Sequence, residues 1–438
     1  METIVVKFGG SSLADADHFR KVADIVKADP RRRFVVASAP GKRGDGDTKV
    51  TDLLYRCCDA AAAGGDWRGV LAQIEGRFSD IIRDLGLDFP LEHEIAVIAE
   101  HLASGKPRRD YMASRGEYLN SRILAAYLGF PFFDAEQLIR FTPRGTFAEG
   151  ATNALLSKTL GGAACGVIPG FYGATEDGTV FTFSRGGSDV TGSLVARGVG
   201  AAVYENWTDV SGMLFTDPHI VADPRPIEYI TYRELRELSY MGASVLHEDA
   251  VFPVRKVGIP INIRNTNRPG DEGTWIVKQL PEGTRTRTVT GVAGKRGFCG
   301  IQVEKAMLNG EVGFIARILD IFAECGVSIE HCPTGIDTVT VIADAVGFNA
   351  HRDEVLQLIR ERMQPESLIV EDDLAMIAVV GHGMVAARGV AARIFRAVAD
   401  AGINIRMIDQ GSSELNVILG VDGADFEEAI RSLYREFR

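Results

Sequence analysis

The chain has 438 residues, of which 46% are hydrophobic and 24% charged, as expected for a globular protein of roughly two to four domains. Its net charge of -11 argues against a nucleic-acid or anionic-membrane surface, and no apolar stretch is long enough to span a bilayer. A strand pattern starts within the first residues and the six cysteines form no C-x-x-C pair. We therefore expect a cytoplasmic protein with free thiols and no signal peptide.

The first strand ends in a turn suited to phosphate. Residues 3–6 are a β-branched run, and Lys7, Gly9, Gly10 and Ser11 follow it. Glycine lets backbone N–H groups approach an anion closely, and the lysine supplies a positive charge. The turn does not match the Walker loop, and a strand that ends in a glycine turn beside a surface lysine is the structural alternative.

Strands and helices alternate over roughly the first 290 residues. The periodicity predicts helices at 15–27, 51–85, 91–102 and 118–128. It predicts strands at 33–37, 180–183 and 201–204 and a last strand at 259–264. It also predicts a strand-like piece from 132, a loop at 207–212 and a linker at 281–288. This order indicates an α/β domain with a mainly parallel sheet covered by helices on both faces.

A second glycine-rich helix start lies at Gly186, Gly187 and Ser188, and it is again suited to an anion. Asp189 follows, where it could orient Lys7 or hold Mg²⁺. Asp209, in the loop at 207–212, offers another carboxylate. Phosphoryl transfer uses this combination of positioned charge and metal.

Glu117 and Arg185 have opposite charges, as the recognition of a zwitterionic amino acid requires. The alternatives are that Glu117 complements the dipole in the first turn of a helix, and that Arg185 forms a structural ion pair. Thr51 begins a predicted helix, where threonine is most often an N-cap.

The final third contains an internal repeat, because G-F-I-A-R-I at 313–318 matches G-V-A-A-R-I at 389–394 with an offset of 76 residues. Each copy predicts strand, glycine loop, amphipathic helix, two strands and a helix, which is a ferredoxin-like βαββα unit. The G-H-G-M-V-A run at 381–386 fits a dinucleotide-binding motif, but the repeat already explains it.

Several motifs occur in a fixed order: K-F-G-G-S-S at 7–12, S-R-G-E at 114–117, R-G-G-S-D at 185–189, T-D-V-S-G at 208–212, T-D-P at 216–218 and M-G-A-S-V-L-H at 241–247. With these motifs the chain resembles the aspartate kinases of the amino-acid kinase family, and its repeats resemble their tandem ACT domains. The resemblance implies a three-layer αβα kinase domain at 1–285 and ferredoxin-like ACT domains at 296–372 and 373–438. A strand near 296–305 is expected either in the first ACT domain or in the second.

The resemblance implies an enzyme that uses ATP and Mg²⁺ to phosphorylate the β-carboxylate of L-aspartate, the first step toward lysine, threonine and methionine. It assigns catalysis to Lys7 and Asp189. Aspartate binding falls to Ser38, Thr51, Glu117 and Arg185. Nucleotide binding falls to Lys7, Gly9, Gly10, Ser11, Ser188, Thr208, Asp209, Leu214 and Asp217, and no direct protein ligand of the metal is expected.

The chain departs from the family pattern near the nucleotide. It has Leu214 where many relatives have tyrosine, His219 where they have arginine, and Ser244 where they have lysine, while Arg225 lies six residues after His219. A catalytically silent, amino-acid-sensing ACT protein is therefore the alternative function. A kinase for N-acetylglutamate fits less well, because an acetylated amine has no charge for Glu117 to bind.

The resemblance also implies an amino-acid effector, with lysine the first choice and threonine the second. Its predicted pocket is formed by Met307, Asn309, Gly310, Gly313, Ser328 and Asp337. We expect a homodimer or a dimer of dimers that assembles through the ACT domains.

Overall fold

The computed structural model describes residues 2–184, 186–243, 246, 248–284 and 287–438. The chain forms two compact units. The first holds Met1–Met213, Pro226–Tyr232 and Val245–Pro281, and the second holds Leu214–Arg225, Arg233–Ser244 and Glu282–Arg438. Among the described residues, no helix combines the length and apolar character that crossing a membrane requires.

The first unit alternates strands and helices. Its strands are β1 (Ile4–Phe8), β2 (Arg32–Ala37), β3 (Gly166–Pro169), β4 (Tyr172–Ala174), β5 (Val180–Thr182), β6 (Val203–Thr208), β7 (Tyr229–Thr231), β8 (Ile261–Asn265) and β9 (Thr274–Val277). Its helices are α1 (Ala16–Ala28), α2 (Val50–Ala62), α3 (Arg68–Leu85), α4 (Leu91–Ala103), α5 (Arg109–Leu128), α6 (Ala135–Leu138), α7 (Glu149–Leu160), α8 (Gly187–Gly198) and α10 (Glu248–Val257), while α9 (Tyr232–Tyr240) continues into the second unit.

In the described part of this unit, seven strands form one sheet in the order β3-β2-β1-β6-β8-β9-β7. All neighbouring strands are parallel except β8 and β9, which confirms the predicted mainly parallel sheet. Phe8 on β1 packs in a core that also contains Phe19 of α1 and Leu124 of α5. Side chains alternate along a strand, so Lys7 points to the opposite face, where it pairs with α8. Helices therefore cover both faces, as expected for a three-layer αβα fold.

Several predicted boundaries are wrong. The helix predicted at 118–128 begins at Arg109, because polar residues such as Arg115 are buried along α5 and hide its periodicity. Glu117 therefore lies in the third turn, where it cannot complement the first-turn dipole. Thr51 is not an N-cap, since Lys49 occupies that position and Thr51 lies in the first turn of α2.

The strand predictions also need correction. The predicted strand at 201–204 extends through Thr208, so Trp207 and Thr208 belong to β6 rather than to a loop. The strand predicted at 259–264 is not the last of its sheet, because β9 follows it. Phe132 forms only an isolated bridge with Val167.

The second unit contains the C-terminal repeats. Its strands are β10 (Gly291–Glu304), β11 (Ile329–His331), β12 (Thr338–Asp344), β13 (Ser367–Val380), β14 (Met407–Asp409) and β15 (Asn416–Asp422), and its further helices are α11 (Phe314–Glu324), α12 (Ala345–Asn349), α13 (Arg352–Met363), α14 (Val390–Asp400) and α15 (Phe426–Phe437). Apart from the short α12, each repeat follows the predicted βαββα order.

One six-stranded sheet, counted over the described residues, runs through both repeats in the order β11-β12-β10-β13-β15-β14. The long strands β10 and β13 pair antiparallel from Gly291↔Val380 to Glu304↔Ser367. Val292 in the first half of β10 packs in the core of the second repeat, whereas Ile301 in its second half packs in the core of the first repeat. The two repeats therefore share both long strands.

Candidate functional site

Polar groups gather where the parallel strands of the first unit end. Lys7 of β1 lies beside Asn206 of β6 in the sheet register. The Nζ atom of Lys7 lies 2.5 Å from Oδ1 of Asp189 on α8 and 3.3 Å from Oδ1 of Asn206. Asn206 Nδ2 also donates to Asp189 Oδ1 at 2.9 Å. The structure thus joins the two predicted catalytic residues, Lys7 and Asp189, and adds Asn206.

The start of α8 is shaped by close packing. Gly186 caps the helix with a φ of 55°, in the left-handed region that favours glycine, and α8 begins at Gly187. A Cβ atom on Gly170 would lie 2.5 Å from Oγ of Ser188, so these two segments touch. Helix N-termini present free N–H groups and a positive dipole end, and Asp189 lies in that first turn. Arg185, predicted to bind the substrate carboxylate, lies outside the described residues.

The glycine turn after β1 contacts the segment after β2. The Gly41 amide donates to the Gly10 carbonyl at 2.8 Å, and a Cβ on Gly41 would lie 2.6 Å from the Gly10 carbonyl carbon. The Gly9 amide donates to the Trp207 carbonyl at 3.1 Å. Gly9 can therefore contribute to a phosphate site by its lack of a side chain, but not by its N–H group. Ser11 lies in the 3-10 turn Gly10–Leu13 that follows.

Glu117 is buried in α5, which packs closely on the segment after β2. Its Oε2 atom is buried with no hydrogen-bond partner among the described residues. Burial raises the pKa of Glu117 from 4.5 to about 8. Gly116 makes this approach possible, because a Cβ there would lie 2.8 Å from the Cβ of Ala39.

Asn120 extends this group and was missed by the sequence analysis. It is fully buried one turn after Glu117, and its Nδ2 donates to the Ser38 carbonyl at 2.7 Å. Its Oδ1 is a second buried acceptor without a partner in the part of the chain that the structure describes. The available signal for Asn120 was its i, i+3 spacing from Glu117, which sets both residues on the same side of a helix. For Asn206, the signal was a polar residue within an otherwise buried strand.

The remaining residues predicted to bind aspartate or nucleotide are divided between the two compact units. Ser38 directly follows β2, and its amide donates to the Phe8 carbonyl at 3.1 Å. Thr208 ends β6 and donates through Oγ1 to Asp209 at 3.1 Å. Leu214 and Asp217, predicted to contact nucleotide, belong to the second compact unit.

Two of the departures from the family pattern can be located. The His219 amide donates to Asp217 Oδ1 at 2.8 Å, so His219 lies in a turn capped by Asp217. The guanidinium of Arg225 donates to the Val289 carbonyl at 3.0 Å and lies 4.3 Å from the Phe215 ring centroid. Arg225 is therefore engaged within the second unit. Ser244 lies outside the described residues.

Most of the predicted effector residues do come together. The Met307 amide donates to Asp337 Oδ1 at 2.8 Å, and the Asn309 amide donates to the Ile336 carbonyl at 3.1 Å. Gly310 ends this short turn, and Gly313 caps α11 with a φ of 80°. Ser328 is exposed in the connection between α11 and β11.

Comparison with known proteins agrees with this architecture. The family model described as "Amino acid kinase family" matches residues 2–265, and an ACT domain model matches residues 377–437. Aspartokinase 3 of Bacillus subtilis is 39% identical, over 99% of this chain and 98% of the relative.

Solved structures match over the whole length. Aspartate kinase from Clostridium acetobutylicum superimposes with a TM-score of 0.91 at 45% identity and covers 100% of both chains. Escherichia coli aspartokinase III, in complex with aspartate and ADP, has a TM-score of 0.76 at 26% identity and covers 99% of both chains. The same enzyme in complex with lysine and aspartate has a TM-score of 0.75 at 26% identity and covers 100% of both chains. The resemblance read from the motifs is thus confirmed, and the chain belongs to the amino acid kinase family, among its aspartokinases.

Proposed function

We propose that this enzyme transfers the γ-phosphoryl group of ATP to the β-carboxylate of L-aspartate and so forms 4-phospho-L-aspartate, the first step toward lysine, threonine and methionine. One observation carries the proposal: the buried Glu117 carboxylate, whose Oε2 lacks a partner among the described residues. A buried carboxylate needs a cation, and the α-ammonium group of an amino acid would supply one. The E. coli complex with aspartate and ADP supports the same substrate class.

The neighbouring acceptor strengthens this choice of substrate. An ammonium group has three donors, and Asn120 Oδ1 offers a second buried acceptor one turn from Glu117. An N-acetylated substrate has one uncharged N–H group and supplies no cation for Glu117. The site therefore favours a free amino acid over N-acetylglutamate.

Lys7 would act on the phosphate that is transferred. The β-carboxylate of aspartate is ionised at neutral pH, so it can attack phosphorus without a general base. One carboxylate oxygen forms a bond to the γ-phosphorus while the bond from that phosphorus to the β,γ-bridging oxygen breaks, and ADP leaves with the electron pair. The Lys7 ammonium, oriented by Asp189 and Asn206, would stabilise the charge on the transferring group.

Magnesium would arrive bound to ATP. The described residues contain no group of three or more His, Cys, Asp or Glu side chains able to hold a metal ion. Asp189 is the carboxylate beside Lys7, and it could bind a water molecule of a phosphate-bound Mg²⁺. The ion would supply further neutralisation of the phosphate charge.

The effector site would be the turn around Met307 and Asp337. The E. coli structure with lysine and aspartate supports lysine as the first candidate, and threonine remains the second. The carboxylate of Asp337 and the N-terminus of α11 are groups of opposite polarity, as an amino acid requires. We propose that two or more copies assemble through the repeats, as expected for the family.

The test is an ATP-dependent hydroxamate assay, in which hydroxylamine traps the acyl phosphate. We expect product with L-aspartate and ATP together, none with either alone, and none with N-acetyl-L-aspartate or N-acetyl-L-glutamate. Equal product with the N-acetylated acids would refute the role of Glu117. Background product under every condition would refute the proposed reaction.

A further inference from the structure

Arg77 has a buried guanidinium that contacts three separate pieces of chain near the glycine turn. It lies on α3, and its side chain is 5% exposed. Nη1 donates to Asp47 Oδ2 at 2.7 Å and to the Thr48 carbonyl at 3.4 Å. Nη2 donates to the Gly41 carbonyl at 2.8 Å and to the Ala14 carbonyl at 3.2 Å.

Three of these four acceptors lie at the two ends of one loop. Residues 41–49 form the polar part of the connection between β2 and α2, and Arg77 holds Gly41 at its start and Asp47 and Thr48 near its end. The Gly41 amide in turn donates to the Gly10 carbonyl, and Ala14 follows the 3-10 turn that begins at Gly10. A single guanidinium thus connects the loop to the turn that follows Lys7.

The charges explain why an arginine occupies this position. Hydrogen bonds from Arg43 and the charge of Arg77 hold the pKa of Asp47 well below its usual range against the effect of burial. Burial lowers the pKa of Arg77, so removal of its charge from water opposes folding. The planar guanidinium carries N–H donors on both terminal nitrogens and can donate to four separate acceptors. A lysine ammonium carries its three donors on a single nitrogen atom.

We propose that Arg77 is a positioning residue for phosphoryl transfer, and this inference rests on the proposed function above. By closing loop 41–49 against Gly10, it fixes the Ser38–Ala39 segment, which packs against Gly116 and Asn120 on either side of Glu117 in α5. It does not touch the substrates itself. Loss of the guanidinium would release the loop and disturb the distance between the bound carboxylate and the phosphate.

The experiment compares Arg77→Lys with wild type and with Arg83→Lys, an exposed arginine on the same helix that serves as the control. Steady-state kinetics give kcat and both KM values, and thermal unfolding gives stability. Limited trypsin digestion followed by mass spectrometry measures cleavage after Lys42 and Arg43, which are both exposed in the loop.

For Arg77→Lys we expect a kcat per folded molecule lower by on the order of 10- to 100-fold, because misplacing a reacting group by about 1 Å has an effect of that size. Cleavage in the loop should become at least several-fold faster, and Arg83→Lys should match wild type in every measurement. Asp47→Asn releases only one end of the loop, so combining it with Arg77→Lys should lower kcat by less than the product of the single effects.

Unchanged kcat and unchanged loop cleavage in Arg77→Lys would overturn the proposal. So would a fall in melting temperature with normal kcat per folded molecule, because Arg77 would then be structural only. If wild type itself made no phosphoaspartate, the proposed function would fail. Loop cleavage would then still decide whether Arg77 holds the loop.

Discussion

Replacing Glu117 by glutamine should stabilise the ligand-free protein while it weakens aspartate binding. Burial raises the pKa of Glu117 from 4.5 to about 8, so the folded state binds its proton more tightly than the unfolded state does. The stability contributed by this group is complete below pH 4.5 and is lost as the pH rises toward 8. With about 1.36 kcal/mol per pKa unit, the loss is about 3 kcal/mol at pH 7 and about 5 kcal/mol above pH 8.

Glutamine has no charge to desolvate, so Glu117→Gln should remove this loss. The three tryptophans of the chain, Trp67, Trp207 and Trp275, all lie in the first unit, so their fluorescence reports its unfolding in urea. We expect similar free energies of unfolding for both proteins near pH 4.5 and a more stable variant at pH 8.5.

Glu149→Gln is the matched control. Lys256 and Arg197 lower the pKa of Glu149, so its replacement should give no stability gain at high pH. In the hydroxamate assay, Glu117→Gln should raise the KM for aspartate by on the order of 10- to 100-fold, which is the effect of losing a charge-assisted hydrogen bond of about 1.5–3 kcal/mol. Identical pH–stability curves for wild type and Glu117→Gln would refute the reasoning about burial.

Four further outcomes can be checked. Lys7→Met should lower kcat in the hydroxamate assay by on the order of 100- to 1000-fold, and a loss confined to KM would contradict the assigned role. Asp337→Ala should shift the lysine inhibition curve at least several-fold with an unchanged uninhibited rate, so unaltered curves would exclude this pocket. Glu205→Gln leaves Arg32 buried without its carboxylate partner and should destabilise the first unit by about 3 kcal/mol in urea unfolding; a neutral result would mean that the pair is not needed. Gly41→Ala brings a methyl group against backbone and should cost about 1–3 kcal/mol in the same assay, whereas a fully stable variant would disprove the close approach.

Local patterns predicted the elements whose signal lies within one segment. The β-branched run of β1, the glycines at the start of α8 and the repeat in the final third each required only neighbouring residues. The charge pair of Lys7 and Asp189 was predicted because each residue lies next to a recognisable glycine turn. The sequence resemblance added the residue roles, which local chemistry alone left open.

Contacts between distant segments could not be predicted in this way. Asn206 matters because the sheet register sets it beside Lys7, and no local pattern encodes that register. Helix α5 was predicted too short because Arg115 is buried between Tyr111 and Tyr118, so polar residues fall where a helix normally has apolar ones. No local pattern marks Arg77, since its acceptors lie about 30 or more positions away.

The paired long strands have a consequence for anyone who wishes to divide this protein. Arg296 of β10 and Ala375 of β13 are paired in the antiparallel ladder of these strands. The chain enters the first repeat just after Arg296 and leaves it just before Ala375. Cutting out the 78 intervening residues, 297–374, and joining these ends with a tight turn would leave a hairpin that still completes the second repeat. The first repeat is thus inserted into the second, so a truncation that ends between them would disrupt both repeats.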